Sequence, residues 1–130
     1  MGGLSAPTAD WIERYELAWR TAGTRELEQL FTRDATYRAG PFDEPMRGLA
    51  AIADFWERER AGPDEQFELS WQAVAVEGPI AVARVEVRYL SPQQCYRDLW
   101  IIELAPDGRC VSFEEWPFFP QQLRVAPGRS

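Results

Sequence analysis

The sequence predicts an α+β domain in which N-terminal helices pack on one face of an antiparallel sheet. Three observations carry that prediction. Apolar residues recur at helical spacing in the first half of the chain. From Phe67 to Phe119 they alternate with period two. That second half is broken only by three short turn signals, Glu77-Gly78-Pro79, Ser91-Pro92-Gln93-Gln94 and Pro106-Asp107-Gly108-Arg109.

The first helix is expected to be capped by Thr8 or Asp10 and to run to about Ala22. Trp11, Tyr15, Ala18, Trp19 and Ala22 form its apolar stripe, and Gly23 ends it. Thr24 caps a short second helix with Leu27, Leu30 and Phe31 turned inward. Asp34 to Arg38 reads as a strand with Ala35 and Tyr37 on one face, and Gly40 to Pro45 reads as a loop. Gly48 opens a third helix to about Arg60, with Leu49, Ile52, Phe55 and Trp56 on its apolar side. Its other side, with Glu57, Arg58, Glu59 and Arg60, reads as a solvated charged face.

Composition bounds the rest. A chain of 130 residues makes one domain, placed at 9–120, with 1–8 and 121–130 expected to be flexible tails. A hydrophobic share of 45% is that of a folded chain. The net charge of −7 argues against a nucleic-acid partner, which a basic stripe would announce. No apolar run has the length of a membrane span and no signal peptide precedes the first helix, so the expected compartment is the cytoplasm. There is no histidine and no paired cysteine spacing, so no metal site is expected, and no cofactor. Cys95 and Cys110 open successive antiparallel strands, which puts them roughly 30 Å apart and out of disulfide reach.

The turns set a register. Asp107-Gly108 as a two-residue turn places Leu104 opposite Val111, Ile102 opposite Phe113 and Trp100 opposite Glu115. A four-residue loop at 91–94 places Tyr89 opposite Tyr96 and Val85 opposite Trp100. The first hairpin places Val76 opposite Ile80, and Trp71 opposite Val85. One face then holds Trp71, Val85, Tyr89, Tyr96, Trp100, Phe113 and their apolar neighbours, with Asp98 and Glu115 as its only carboxylates. The two acids are diagonal neighbours, about 7–8 Å apart at the backbone. A carboxylate on such a face loses hydration, so it is either paired or kept for proton chemistry.

The segments Leu30-Phe31-Thr32-Arg33-Asp34-Ala35-Thr36-Tyr37 and Gly48-Leu49-Ala50-Ala51-Ile52-Ala53-Asp54-Phe55-Trp56 carry a likeness to a known family. So do Asp107-Gly108-Arg109-Cys110 and Glu114-Glu115-Trp116. In this order and spacing, over about 9–120, the chain resembles the SnoaL-like (polyketide cyclase-like) group of the nuclear-transport-factor-two-like superfamily. The resemblance implies a cystatin-like cone (an α+β roll): a curved antiparallel sheet wrapped around the helices, with a pocket for a small apolar molecule. It also implies a homodimer through the outer sheet face. Val74, Val76, Ile80, Val82, Leu99, Ile101, Trp116 and Phe118 lie among the charges of that face.

Within such a cone Asp98 and Glu115 are the candidate catalytic residues. One can accept a proton while the other, or Tyr37, Tyr89 or Tyr96, donates a hydrogen bond to a developing oxyanion. Tyr15, Trp19, Phe55, Trp56, Trp71 and Trp100 complete the expected binding wall. Two alternatives stay open: a non-catalytic binding or scaffold module, or a filled cone in which each acid only bonds an indole, a phenol or an arginine. Family chemistry that needs a pocket histidine is excluded. The epoxide-hydrolase arrangement needs an inward arginine, and the register sends Arg84, Arg88 and Arg97 outward, leaving only Arg38 or Arg47 to reach in.

Overall fold

Four long strands come from the alternating half of the chain. In the computed structural model, which describes residues 2–60, 66–90 and 92–120, they are β3 (Phe67–Glu77), β4 (Ile80–Leu90), β5 (Gln93–Leu104) and β6 (Cys110–Phe118). Before them come α1 (Gly2–Arg20), α2 (Leu27–Leu30), β1 (Phe31–Arg38), β2 (Met46–Arg47) and α3 (Leu49–Glu59). The strands form one curved, unclosed sheet in the order β2-β1-β6-β5-β4-β3. All pairings are antiparallel except β1 with β6, which is parallel. The expected α+β roll is therefore observed.

Faces came out as expected, although the turns did not. β4 and β5 pair Leu90 with Gln93, so the connection is two residues shorter than the expected four. Tyr89 accordingly meets Gln94, Tyr96 meets Val87, and Trp100 meets Ala83. A shift of two residues keeps every side chain on its face. The other two turns each depart by one residue, and each departure is cancelled by a bulge. Glu77 pairs with Ile80, but an irregularity between Ala73 and Ala75 restores Ala73 to Ala83 and Trp71 to Val85. At the last hairpin the Ala105 N–H donates to the Arg109 carbonyl and Gly108, with φ +92°, occupies the left-handed position. The turn is thus one residue longer than expected, and Leu104 meets Cys110. Val111 is the extra residue on β6, and beyond it Ile102 meets Phe113 and Trp100 meets Glu115, as expected.

The helices differ from expectation mainly at their ends. α1 extends back to Gly2; Thr8 is 3% exposed, packed within the helix rather than free to cap it. Gly23, at φ +84°, follows its end. α2 is a single turn, because Phe31 already enters β1. Arg60 is the clearest correction: instead of lying on a solvated face it is 8% exposed. Its guanidinium donates to the carbonyls of Ala18 (3.3 Å), Thr21 (3.0 Å) and Gly23 (2.8 Å). Ala18 lies in the last turn of α1 and Thr21 and Gly23 follow its end, so this one side chain, just past α3, ties α3 to the C-terminal end of α1. Glu57, Arg58 and Glu59 remain exposed.

The core lies between α1, α3 and the concave sheet face. Trp11, Phe31, Ile52, Trp56, Ile102 and Phe113 are essentially sealed from water. The Trp11 indole donates to the Leu30 carbonyl at 2.9 Å, so its polar edge is satisfied within the core. Cys95 and Cys110 are both free; the buried Cys110 thiol donates to the Ser112 carbonyl, and burial pushes its pKa up to about 12. Residues 121–130, expected as a flexible tail, lie outside the described residues.

Candidate functional site

Asp98 and Glu115 stand on the concave face, as the register requires. Trp100 sits directly opposite Glu115, and Pro117 directly opposite Asp98, so the two acids are diagonal neighbours across β5 and β6. They open onto a cleft of ≈ 1030 Å³ between that face, α1, α3 and the 39–43 segment. Such a volume suits a drug-sized molecule.

Tyr15 and Trp19 reach the cleft from α1, and Phe55 reaches it from α3. Tyr37 comes from β1, Tyr89 from β4, and Tyr96 and Trp100 from β5. Two expected wall residues are not at the wall. Trp56 is only 1% exposed and lies behind the first aromatic layer, 4.8 Å from the Trp19 ring and 5.2 Å from the Tyr15 ring. Trp71, on the outermost strand β3, packs against the core from the sheet edge. Neither Arg38 nor Arg47 lines the cleft; Arg38 donates instead to the Asp43 carbonyl at 2.6 Å.

Several wall residues were not singled out from the sequence. Phe67, Leu69 and Val87 line the cleft from β3 and β4; strand parity puts them on the face of Asp98 and Glu115, but it does not by itself mark them as wall residues. Glu59 lies four residues after Phe55 and so shares its helical face. Glu16 and Asp43 carry no comparable signal, since a helix flank and a loop are placed by tertiary packing.

A directed hydrogen-bond chain ends on Glu115. The Tyr37 hydroxyl donates to Glu115 Oε1 at 2.8 Å. A phenol has a single proton, so across the 2.9 Å contact between Tyr15 and Tyr37 the Tyr15 hydroxyl is the donor. The parallel pairing of β1 and β6, which sets Tyr37 beside Phe113, brings this phenol within reach. Burial raises both phenol pKa values well above 10, with the nearby Glu115 carboxylate adding to the effect, so both remain neutral donors.

Asp98 is 5% exposed and is held by one bond, from the Trp100 indole N–H to Oδ2 at 3.1 Å. Its Oδ1 is buried with no hydrogen-bond partner. Loss of hydration pushes Asp98 up to about 6, partly offset by the indole N–H. Glu115 is pushed up to about 7, first by loss of hydration, then by the charge of Asp98, with Glu59 adding to it and the Tyr37 hydroxyl opposing it. Asp98 ionises first, so its charge falls on Glu115. Near neutral pH the pair holds one carboxylate and one partly protonated acid side by side.

Comparison with known proteins supports the same architecture. The family model for the SnoaL-like domain matches residues 12–119. No curated protein sequence matches the chain. Among solved structures, an NTF-2 like protein of unknown function from Burkholderia xenovorans LB400 has 15% identity and a TM-score of 0.68, covering 96% of this chain and 91% of its own. SalBIII, described as an epoxide hydrolase/cyclase-like enzyme in pyran ring formation in polyether salinomycin, has 14% identity and a TM-score of 0.71, covering 91% of this chain and 95% of its own. A steroid delta-isomerase from Pseudomonas aeruginosa has 19% identity and a TM-score of 0.64, covering 92% of this chain and 85% of its own. At these identities the likeness is one of fold.

Proposed function

Because the chain belongs to the SnoaL-like family of the NTF2-like superfamily, we propose that its cleft holds a small lipophilic molecule on which Asp98 and Glu115 transfer protons. The observation that carries this reading is the pair itself: adjacent carboxyl groups on an apolar wall, each pushed toward neutrality by burial. Asp98, with an unpartnered oxygen, is the base that takes a proton from a carbon next to a carbonyl. Glu115 is the acid that protonates the carbonyl oxygen, with Tyr37 and Tyr15 steadying the charge left behind. Return of the Asp98 proton to the γ-carbon, with the oxygen proton going back to Glu115, gives an isomerisation; delivery of the Asp98 proton to a β-hydroxyl, which leaves as water, gives a dehydration; and addition of the enol carbon to a second carbonyl of the same molecule, whose oxygen takes that proton, gives a cyclisation.

The test is deuterium incorporation in heavy water, followed by NMR over a panel of enolisable and β,γ-unsaturated ketones. Exchange by the wild type that is lost in Asp98→Asn and Glu115→Gln, both still folded by circular dichroism, supports proton transfer. Exchange that persists in both variants overturns it.

One observation favours a second reading, a non-catalytic binding or scaffold module. Trp100 and Tyr37 already bond the two acids, as in an ordinary satisfied core. Tight binding of a panel member with no exchange would select that reading. Under either reading a homodimer would cover the outer sheet face, where Val74, Ile80 and Phe118 are 47%, 41% and 37% exposed beside cross-strand charge pairs such as Glu68 and Arg88. Sedimentation of the wild type against Ile80→Glu tests the dimer, which the charge should split. No helix among the described residues is long and apolar enough to cross a membrane, and two free thiols suit a reducing compartment such as the cytoplasm.

A further inference from the structure

Among the described residues, every ionisable side chain at the cleft wall other than a phenol is a carboxylate: Glu16, Asp43, Glu59, Asp98 and Glu115. Glu16 is balanced by Arg20 at 2.6 Å, and Asp43 has Arg38 bonded to its backbone. Glu59, Asp98 and Glu115 have no cationic partner among the described residues. A second observation is independent of that charge. Asp98 is 95% buried by its 5% exposure, faces the cleft, and has an oxygen without a donor. A buried carboxylate oxygen left unbonded is costly, and a donor entering the cleft beside Asp98 can supply the missing N–H or O–H.

The rest of the wall suits a cation as well. Tyr15, Phe55, Phe67, Tyr96 and Trp100 present aromatic rings, whose faces attract positive charge. Rings at this wall already do so within the chain: the Arg20 guanidinium lies 3.8 Å from the Phe67 centroid, and that of Arg58 lies 5.9 Å from Phe55.

We propose that the cleft takes a protonated amine carried on an apolar, ring-bearing body, with the ammonium donating to Asp98 Oδ1 and the body packed against the aromatic wall. The inference rests on the non-catalytic binding reading above and narrows its ligand class, because an ammonium on Asp98 Oδ1 occupies the oxygen that the proton-transfer reading uses as the base. Anionic ligands are disfavoured, because no cation among the described residues pairs with Glu59, Asp98 or Glu115. A quaternary ammonium satisfies the rings but brings no donor to Oδ1, so it ranks below an N–H-bearing amine.

The test is calorimetric titration of the full chain at pH 7.5 with four matched probes: naphthylpropylamine, its trimethylammonium analogue, naphthylpropanol and naphthylpropanoate. The amine should bind about tenfold or more tighter than the alcohol, the scale of one charge-assisted hydrogen bond. The quaternary analogue should fall between them, and the carboxylate should bind weakest. In Asp98→Asn the amine should drop toward the alcohol while the alcohol is little changed; Glu59→Gln provides a milder version should that variant fold poorly. An alcohol that binds as tightly as the amine overturns the cation and leaves the lipophilic cleft standing. A carboxylate that binds tightest overturns it in the same way. If no probe binds, the inference fails, and the proposed function fails with it only when neutral steroid-sized ketones also show no binding.

Discussion

The two ends of the sheet use the same material to different effect. At the end where β4 turns into β5, the concave face opens into the cleft with Asp98 and Glu115 in its wall. At the opposite end, where the turns at 78–79 and 105–109 lie, a smaller cleft of ≈ 640 Å³ is lined by Pro7, Val76, Pro79, Ala81, Leu104 and their neighbours. Glu103 is the only ionisable residue there among the described residues. Both hollows are bounded by apolar strand residues; the first alone buries carboxyl groups beside one another. Adjacency of two carboxylates, rather than the mere presence of an acid, separates them. Asp98 and Glu115 are pushed up because water is removed from around them; Glu103 lies near the end of β5 with no second carboxylate among the described residues of its hollow.

The largest expected difference between the ends is catalytic. Asp98→Asn or Glu115→Gln should lower turnover of any proton-transfer substrate by about 10²–10⁴-fold, whereas Glu103→Gln should leave it unchanged. The wild-type kcat/KM profile should be a bell with limbs near pH 6 and 7, the values to which burial raises Asp98 and Glu115. Groups facing that pair are Glu59 from α3, Tyr15 from α1 and Tyr37 from β1, and all belong in any fit of the profile.

Stability should separate the ends next. Folding raises the pKa of Asp98, so the cost of its charge is absent below its ordinary value and complete above about pH 6. Asp98→Asn should therefore gain about 3 kcal/mol over the wild type at pH 8 and nothing at about pH 3, read from urea unfolding. A smaller effect belongs to Tyr37→Phe. It strands the Tyr15 hydroxyl, which should cost about 1–2 kcal/mol. It also removes a bond that favours ionised Glu115, so the upper limb of the pH profile should move to higher pH. The smallest effect is Glu103→Gln at the far end, within about 0.5 kcal/mol of wild type by the same unfolding measurement.

Much of the site was legible because strand parity is a robust signal. Asp98 and Glu115 were placed on the right face even though the 91–94 loop was read two residues too long, since a two-residue slip preserves parity. Non-local packing was not legible. The parallel pairing of β1 with β6, which delivers Tyr37 to Glu115, leaves no mark on local pattern. Arg60 looked like part of a charged helix face, yet the open end of α1 draws its guanidinium inward. Trp56 and Trp71 have the right periodicity for a wall, but one lies a layer too deep and the other at the sheet edge.

The paired irregularities of the sheet have a practical consequence for chain length. Each bulge lies between its own hairpin turn and the acids, one near Val74 and one at Val111. A residue gained or lost at Gly78-Pro79 or Pro106-Asp107-Gly108 can be absorbed by the adjoining bulge before it reaches Trp100 and Glu115. These two turns are therefore the natural points for inserting an epitope, a fluorophore or a second domain, because the distant chemistry is insulated from their length.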